Sequence, residues 1–117
     1  MTTPLVVDVA QDLRGPTVVT AVGELDLFSA RRLESALIPA VEQGVVVLDA
    51  ASVAFCDSTG LRALVKAQRA ARAAGYGLRL AAASEALLRV LDLAGALAYF
   101  DLFPDVETAV KGVGRDA

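Results

Sequence analysis

An acid, two hydroxyl side chains and a glycine follow one another at residues 57–60, within the stretch CDSTGLRAL. Asp57, Ser58 and Thr59 stand between an aliphatic run and an Ala- and Arg-rich segment, where we expect a strand to end and a helix to begin. Such residues are good N-caps, because their side-chain oxygens accept hydrogen bonds from free N–H groups of the first helical turn. A serine or threonine hydroxyl is also a possible phosphate acceptor. Composition alone favours the cap and leaves the modification site open.

Several common catalytic arrangements are missing from the sequence. There is no histidine and Cys56 is the only cysteine, so histidine-paired nucleophiles are excluded and zinc catalysis is disfavoured. Neither a P-loop nor a spaced glycine fingerprint for nucleotides occurs. Glu24 and Asp26 supply two nearby carboxylates, but aromatic residues for a sugar cleft make up only 5% of the chain. We therefore expect a protein that is not an enzyme, without a metal or cofactor, in which Cys56 is a buried apolar residue.

Length and composition predict a single globular domain over residues 1–117. The chain is 56% hydrophobic and 21% charged, which favours a packed core over disorder. Its apolar runs are shorter than the roughly 20 residues that cross a bilayer, and the N-terminus lacks the pattern of a signal peptide. A net charge of -3 disfavours direct binding to nucleic acid. We expect a cytoplasmic protein that contacts neither nucleic acid nor membrane.

Apolar periodicity and turn residues predict five strands and four helices. The predicted strands are Leu5–Val9, Thr17–Val22, Val45–Leu48, Leu78–Ala82 and Tyr99–Phe103. The predicted helices are residues 28–43, a second from Ser58 to Gly75, a third capped by Ser84 and a fourth opened by Pro104 and Asp105. Asp26 and Ser29 are candidate caps of the first helix, and Pro39 predicts a kink or a frayed last turn in it. Residues 112–117 are expected to form a frayed tail.

This β-β-α-β-α-β-α-β-α order predicts an α/β fold with a mainly parallel sheet of four to five strands and helices packed against it. Val45–Leu48 is aliphatic without interruption, as expected of a strand that is covered on both faces. It is followed by the residue 57–60 stretch, so the candidate site lies just after the predicted centre of the sheet.

Basic residues are concentrated in one segment. Between Ser58 and Ser84 there are five basic residues and no acid, whereas the rest of the chain has six basic residues against 14 acids. Arg62, Lys66 and Arg69 share one face of the second helix, opposite its apolar residues. This basic stripe is either an ordinary solvated helix face or a surface that steers an acidic partner.

The order of these motifs resembles the STAS domain family of bacterial anti-sigma factor antagonists. In that family a strand ending in Asp is followed by a loop and by an Asp-Ser/Thr-Ser/Thr-Gly-Leu motif that opens a helix, which here reads VVVLDASVAFCDSTGLRALV at residues 45–65. A Gly-Glu-Leu-Asp step after the second strand occurs at residues 23–26, and residues 103–110 resemble the closing segment of the family. The resemblance covers nearly the whole chain in order, so a single STAS domain is expected.

The resemblance implies an anti-sigma factor antagonist that works by partner switching. Its non-phosphorylated form would bind an anti-sigma factor with a histidine-kinase-like ATPase fold and so release a sigma factor. Phosphorylation by that partner would inactivate it, and a PP2C-like phosphatase would restore it. By position in the motif the acceptor would be Ser58, with Thr59 as the runner-up. The residues expected to contact the partner are Asp26, Asp57, Ser58, Thr59, Gly60, Arg62 and Lys66.

A second interpretation remains open. A STAS subunit can instead act as a protein-contact module in a transport or signalling assembly, without being phosphorylated. In that case Ser58 would serve only as a helix cap. Similarly, Asp26 either contacts the partner beside the start of the second helix or caps the helix that follows it.

Overall fold

A computed structural model describes residues 3–112 of the chain. The strands are β1 (Val6–Gln11), β2 (Thr17–Leu25), β3 (Val46–Cys56), β4 (Leu78–Ala81) and β5 (Asp101–Phe103). The helices are α1 (Ala30–Val41), α2 (Ser58–Ala73), α3 (Glu85–Leu93) and α4 (Val106–Lys111), with a 3-10 turn at Leu97–Tyr99. The predicted element order and fold class are confirmed. Gly112 ends α4, and the rest of the predicted tail, residues 113–117, lies outside the described residues.

The five strands form one sheet in the order β1-β2-β3-β4-β5. β1 pairs antiparallel with β2 through a tight turn at residues 12–16, and all the other pairs are parallel. The parallel strands therefore end at a common edge of the sheet, where ligand and partner sites of α/β proteins usually lie. The loops that enter α1, α2, α3 and α4 are all at this edge.

Two groups of apolar side chains hold the layers together. The larger group joins one face of the sheet to α1, α2 and α3, through residues such as Leu33, Leu48, Leu64 and Leu87. The smaller group lies on the opposite face, where α4 covers Val47 and its neighbours. Val46, Val47 and Leu48 are buried, which confirms that the centre of β3 is covered on both sides. Burial of this kind is the main favourable term in the stability of the fold.

β3 is much longer than the predicted strand Val45–Leu48. It pairs with both β2 and β4 as far as Asp49, and from Ser52 to Cys56 it pairs with β2 alone. Two register shifts against β2 interrupt the alternation of buried and exposed residues, so the second half of β3 does not show a strand pattern in the sequence. As a result, β2 and β3 project beyond β4 and carry the start of α2 at their tip.

One smaller prediction also differs from the structure. The last predicted strand begins at Tyr99, but residues 97–99 form the 3-10 turn and β5 starts at Asp101. α1 continues through Pro39 to Val41, and the backbone N–H of Glu42 still donates to Ile38 O. Within residues 3–112, none of the helices has the length and apolar character needed to cross a membrane.

Candidate functional site

Ser58 is the first residue of α2 and lies at the projecting tip of β2 and β3. Asp57 is the N-cap: its Oδ1 accepts a hydrogen bond from Gly60 N at 2.9 Å, and its carbonyl accepts one from Leu61 N at 2.9 Å. Ser58 itself is exposed, whereas Thr59 is half-buried. No hydrogen-bond partner for the Ser58 hydroxyl occurs within residues 3–112. Asp57 therefore caps the helix, and the adjacent Ser58 hydroxyl is not needed for capping.

Gly60 packs the start of α2 tightly against the end of β2. A Cβ atom at Gly60 would lie 2.6 Å from Leu25 Cγ, 2.7 Å from Leu25 O and 3.1 Å from Cys56 Sγ. Only glycine fits at such distances, because the obstacle includes a backbone carbonyl. Gly60 is buried, so the structure gives it a packing role rather than an exposed place on the predicted contact surface.

Asp26 organises the turn that leads from β2 into α1. Its Oδ1 accepts hydrogen bonds from Phe28 N at 3.0 Å and Ser29 N at 3.1 Å, and its carbonyl accepts one from Ala30 N at 2.9 Å. Ser29 stands at the N-cap position, but its Oγ donates to Glu24 O at 2.8 Å and does not cap the helix. One carboxylate oxygen of Asp26 is thus used inside its own turn, on N–H groups that precede the helix. The prediction that Asp26 or Ser29 caps α1 with its side chain is therefore wrong.

The Asp26 turn and the start of α2 are neighbours, as the resemblance implies. Leu25 pairs with Cys56 across β2 and β3, and Asp57 N donates to Leu25 O at 3.2 Å. The residues that follow Leu25 and Cys56 therefore leave the sheet side by side. Asp26 is half-buried and Ser58 exposed at this common surface.

Arg62, Lys66 and Arg69 are all exposed along α2, so the predicted stripe faces solvent. Lys66 Nζ forms an ion pair with Glu34 Oε1 of α1 at 3.1 Å. Among residues 3–112, neither Arg62 nor Arg69 has an ion-pair or hydrogen-bond partner. Arg62, one turn from Ser58, is the nearest free cation of the stripe along the helix.

The other two basic residues of the segment are engaged in holding the fold. Arg72 donates to Tyr99 O at 2.9 Å and lies 4.5 Å from the centre of the Tyr99 ring. Arg79 donates to Ala109 O at 2.7 Å, which ties β4 to α4. Arg72 and Arg79 are therefore held by contacts within the fold, whereas Arg62 and Arg69 of the stripe have no such contact among residues 3–112.

Cys56 is 4% exposed, and its thiol is buried beside the start of α2. Burial, with a smaller contribution from the Asp57 carboxylate, raises the pKa of the Cys56 thiol to about 12. The thiol stays protonated at neutral pH and is a poor nucleophile. The prediction of a buried apolar cysteine is confirmed. Within residues 3–112, no group of three or more Cys, Asp or Glu side chains could hold a metal ion.

The sequence interpretation missed two exposed apolar residues, Leu27 and Phe28. They lie in the Asp26 turn with 66% and 88% of their surface exposed. The predicted first helix includes Phe28, but α1 begins at Ala30. A signal was present in the spacing: Phe28 is five residues before Leu33, and so does not continue the apolar i, i+3, i+4 pattern of α1.

Comparison with known protein families decides the assignment. The model of the STAS domain matches residues 7–109. The chain belongs to the STAS domain family. An anti-sigma-B factor antagonist of Bacillus subtilis is 33% identical to this STAS chain over 94 residues, which cover 80% of this chain and 86% of the relative. The predicted family is confirmed.

Two solved structures illustrate the shared fold. An anti-sigma factor antagonist from Mycobacterium paratuberculosis superimposes with a TM-score of 0.80 at 26% identity, covering 97% of this chain and 98% of the other. The Bacillus cell fate determinant SpoIIAA in its phosphorylated form gives a TM-score of 0.72 at 19% identity, covering 92% of this chain and 99% of the other. At that identity the second comparison concerns the fold alone.

The N-cap of α2 can be tested by removing its acceptor. We expect Asp57→Ala to lower the free energy of unfolding by about 1 kcal/mol, because the N–H of Gly60 loses its acceptor at the first helical turn. Asp57→Asn keeps an acceptor oxygen and should stay within a few tenths of a kcal/mol of the wild type. Urea denaturation followed by circular dichroism measures both free energies of unfolding. An Ala variant as stable as the wild type would show that the Asp57 cap does not stabilise the fold.

Proposed function

We propose that this STAS protein is an anti-sigma factor antagonist whose non-phosphorylated form binds an anti-sigma factor and is inactivated by phosphorylation at Ser58. The observation that carries the proposal is the exposed Ser58 hydroxyl, without a partner among residues 3–112, beside a separate cap residue. Relatives named as anti-sigma factor antagonists support the first half of the proposal. Thr59 is half-buried, which favours Ser58 as the acceptor.

The start of α2 tolerates an added phosphate. The N-terminus of a helix carries partial positive charge and free N–H groups, and a phosphoserine adds about -1.5 to -2 charges there. Asp57 opposes the phosphate as a neighbouring anion, but Arg62 lies one turn along α2 without an ion-pair partner among residues 3–112. The phosphorylated chain should therefore stay folded, with the phosphate in contact with water.

The same phosphate opposes binding. A partner that covers the tip of β2 and β3 must strip water from the Ser58 side chain, which costs little for a hydroxyl that finds a hydrogen bond and much more for a dianion. Phosphorylation thus acts on the complex and leaves the fold unchanged. In the resulting cycle, unmodified protein binds the anti-sigma factor and a sigma factor is released.

The chemistry of the cycle belongs to the partners. An anti-sigma factor with a histidine-kinase-like ATPase fold would transfer the γ-phosphoryl group of ATP to Ser58 Oγ; the hydroxyl loses its proton and ADP leaves. A PP2C-like phosphatase would hydrolyse the serine phosphate and regenerate the hydroxyl. The antagonist itself supplies the acceptor and the contact surface. It acts in the cytoplasm through protein contacts, and it is neither an enzyme nor a binder of nucleic acid or membrane.

Arg62 and Lys66 belong to the proposed contact surface, with an acidic patch on the partner. Arg62 is unpaired among residues 3–112, and Lys66 keeps about half of its side chain exposed while it pairs with Glu34. Such charges at the rim of an interface mainly raise the rate of association. Asp26 and Asp57 would act at this surface chiefly by fixing the turns that present Ser58.

Phosphate mapping tests the proposed function. The protein is incubated with ATP and its purified anti-sigma kinase, and the modified residue is located by tandem mass spectrometry. We expect one phosphate at Ser58, none in Ser58→Ala, and unchanged incorporation in Thr59→Ala. Phosphate at Thr59 would contradict the acceptor assignment. Tight binding to a partner without phosphate at either residue would favour the unmodified contact module instead.

A further inference from the structure

Leu27 and Phe28 form an exposed apolar pair at the edge of the sheet that carries Ser58. Single exposed apolar residues are common on protein surfaces. Two consecutive large ones, with 66% and 88% of their surface in water, are harder to explain as chance. Leaving them exposed forgoes the free energy that their burial would contribute, so a function in binding is the natural explanation.

The turn that presents this pair is fixed by hydrogen bonds. Phe28 N and Ser29 N both donate to Asp26 Oδ1, and Ser29 Oγ donates to Glu24 O. Asp26 N in turn donates to Ser29 Oγ at 2.9 Å. These bonds satisfy the N–H groups of Asp26, Phe28 and Ser29 within the turn and hold it in one conformation. A fixed turn also loses little conformational entropy on binding.

The pair is continuous with the proposed contact surface. Leu25 pairs with Cys56, and the chain leaves the sheet at both residues in parallel, one branch leading to Leu27 and Phe28 and the other to Ser58. A protein that covers Ser58 closely therefore also covers the Asp26 turn. Phe55, which is 47% exposed, also lies on the projecting tip of β3.

We propose that Leu27 and Phe28 are the apolar anchor of the complex, with Phe28 inserted into an apolar cleft of the anti-sigma factor. This inference rests on the proposed function, because it takes the occupant of the surface to be that partner. Buried aromatic side chains near the centre of an interface supply much of its binding energy. In this proposal the Asp26 turn contributes most of the binding energy, and the phosphorylation state of Ser58 decides whether the anti-sigma factor can bind.

Binding measurements on matched serine variants test the anchor. Isothermal titration calorimetry with the purified anti-sigma factor should give a dissociation constant roughly 30-fold higher for Phe28→Ser than for the wild type. The matched control is Leu13→Ser, which removes a fully exposed apolar side chain from the β1–β2 turn at the opposite edge of the sheet. It should bind like the wild type, and Phe28→Leu should retain most of the affinity because it keeps an apolar side chain.

A second measurement on the unaltered protein does not depend on how the variants fold. Hydroxyl-radical footprinting of the wild-type complex should show Phe28 strongly protected from oxidation relative to the free protein, and Leu13 unprotected. Equal affinity of Phe28→Ser and wild type, or an unprotected Phe28 in the complex, overturns the anchor while the proposed function stands. Absence of wild-type binding to the anti-sigma factor overturns the proposed function and the anchor with it.

Discussion

Ser58→Asp is expected to bind the anti-sigma factor about a hundredfold more weakly than the wild type, a difference of roughly 3 kcal/mol. The aspartate places a permanent charge where the exposed hydroxyl stands at the first turn of α2. That charge must be desolvated when a partner covers the tip of β2 and β3. Ser58→Ala removes the acceptor but adds no charge, and should keep close to wild-type affinity. Titration calorimetry on the three proteins measures the difference.

Ser58→Asp should not reduce the stability of the fold. A carboxylate near a helix N-terminus interacts favourably with the helix dipole, so Ser58→Asp should melt at or slightly above the wild-type temperature. Ser35→Asp, at an exposed position on α1, is the matched control for an added surface charge and should bind normally. An affinity of Ser58→Asp equal to that of the wild type would contradict the switch at this residue. A loss of thermal stability would instead mean that the charge disturbs the fold.

Gly60→Ala is expected to destabilise the fold, although it adds only one methyl group. Alanine within a helix usually exceeds glycine in stability by about 0.5–1 kcal/mol. Here the added methyl group would meet Leu25 O at 2.7 Å and Leu25 Cγ at 2.6 Å, so α2 must shift away from β2. We expect the free energy of unfolding to fall by about 1–3 kcal/mol, as in other overpacked cores. Urea denaturation with an unchanged m-value would measure this loss.

Gly44→Ala is the matched control for the Gly60 substitution. Gly44 follows α1, and a Cβ atom there would find nothing within 4 Å. This variant should be as stable as the wild type or slightly more stable, because alanine restricts the unfolded chain. If both glycine variants had the same stability, the tight contact between α2 and β2 would not constrain the chain.

The layered fold could be predicted because its elements show regular patterns in the sequence. The aliphatic run at the centre of β3 and the helical periodicity of α1 and α2 follow directly from burial on a sheet and against it. β3 was predicted too short because its second half contains register shifts, and a shift breaks the two-residue period on which strand prediction depends. The tip that carries Ser58 was therefore interpreted as a loop.

The candidate site was predictable in its cap at Asp57, and less so in its long-range contacts. Asp57 as a cap follows from local chemistry, since its acceptor oxygen and the N–H it binds are three residues apart. The ion pair of Lys66 with Glu34 joins residues on different helices, and no local pattern encodes it. The exposure of Phe28 depends on where α1 begins, and helix boundaries are the least certain part of any sequence interpretation.

The backbone around Ser58 limits how a kinase can recognise it. Protein kinases that thread an extended peptide through a cleft need a substrate segment free to adopt that shape. Here the segment after Ser58 forms a helix whose first turn is capped by Asp57. Gly60 in this turn packs closely against Leu25, so the segment cannot easily become extended. An enzyme that modifies this serine must therefore recognise a folded three-dimensional surface. Its specificity then depends on residues far apart in the chain, and short linear fragments would carry little of it.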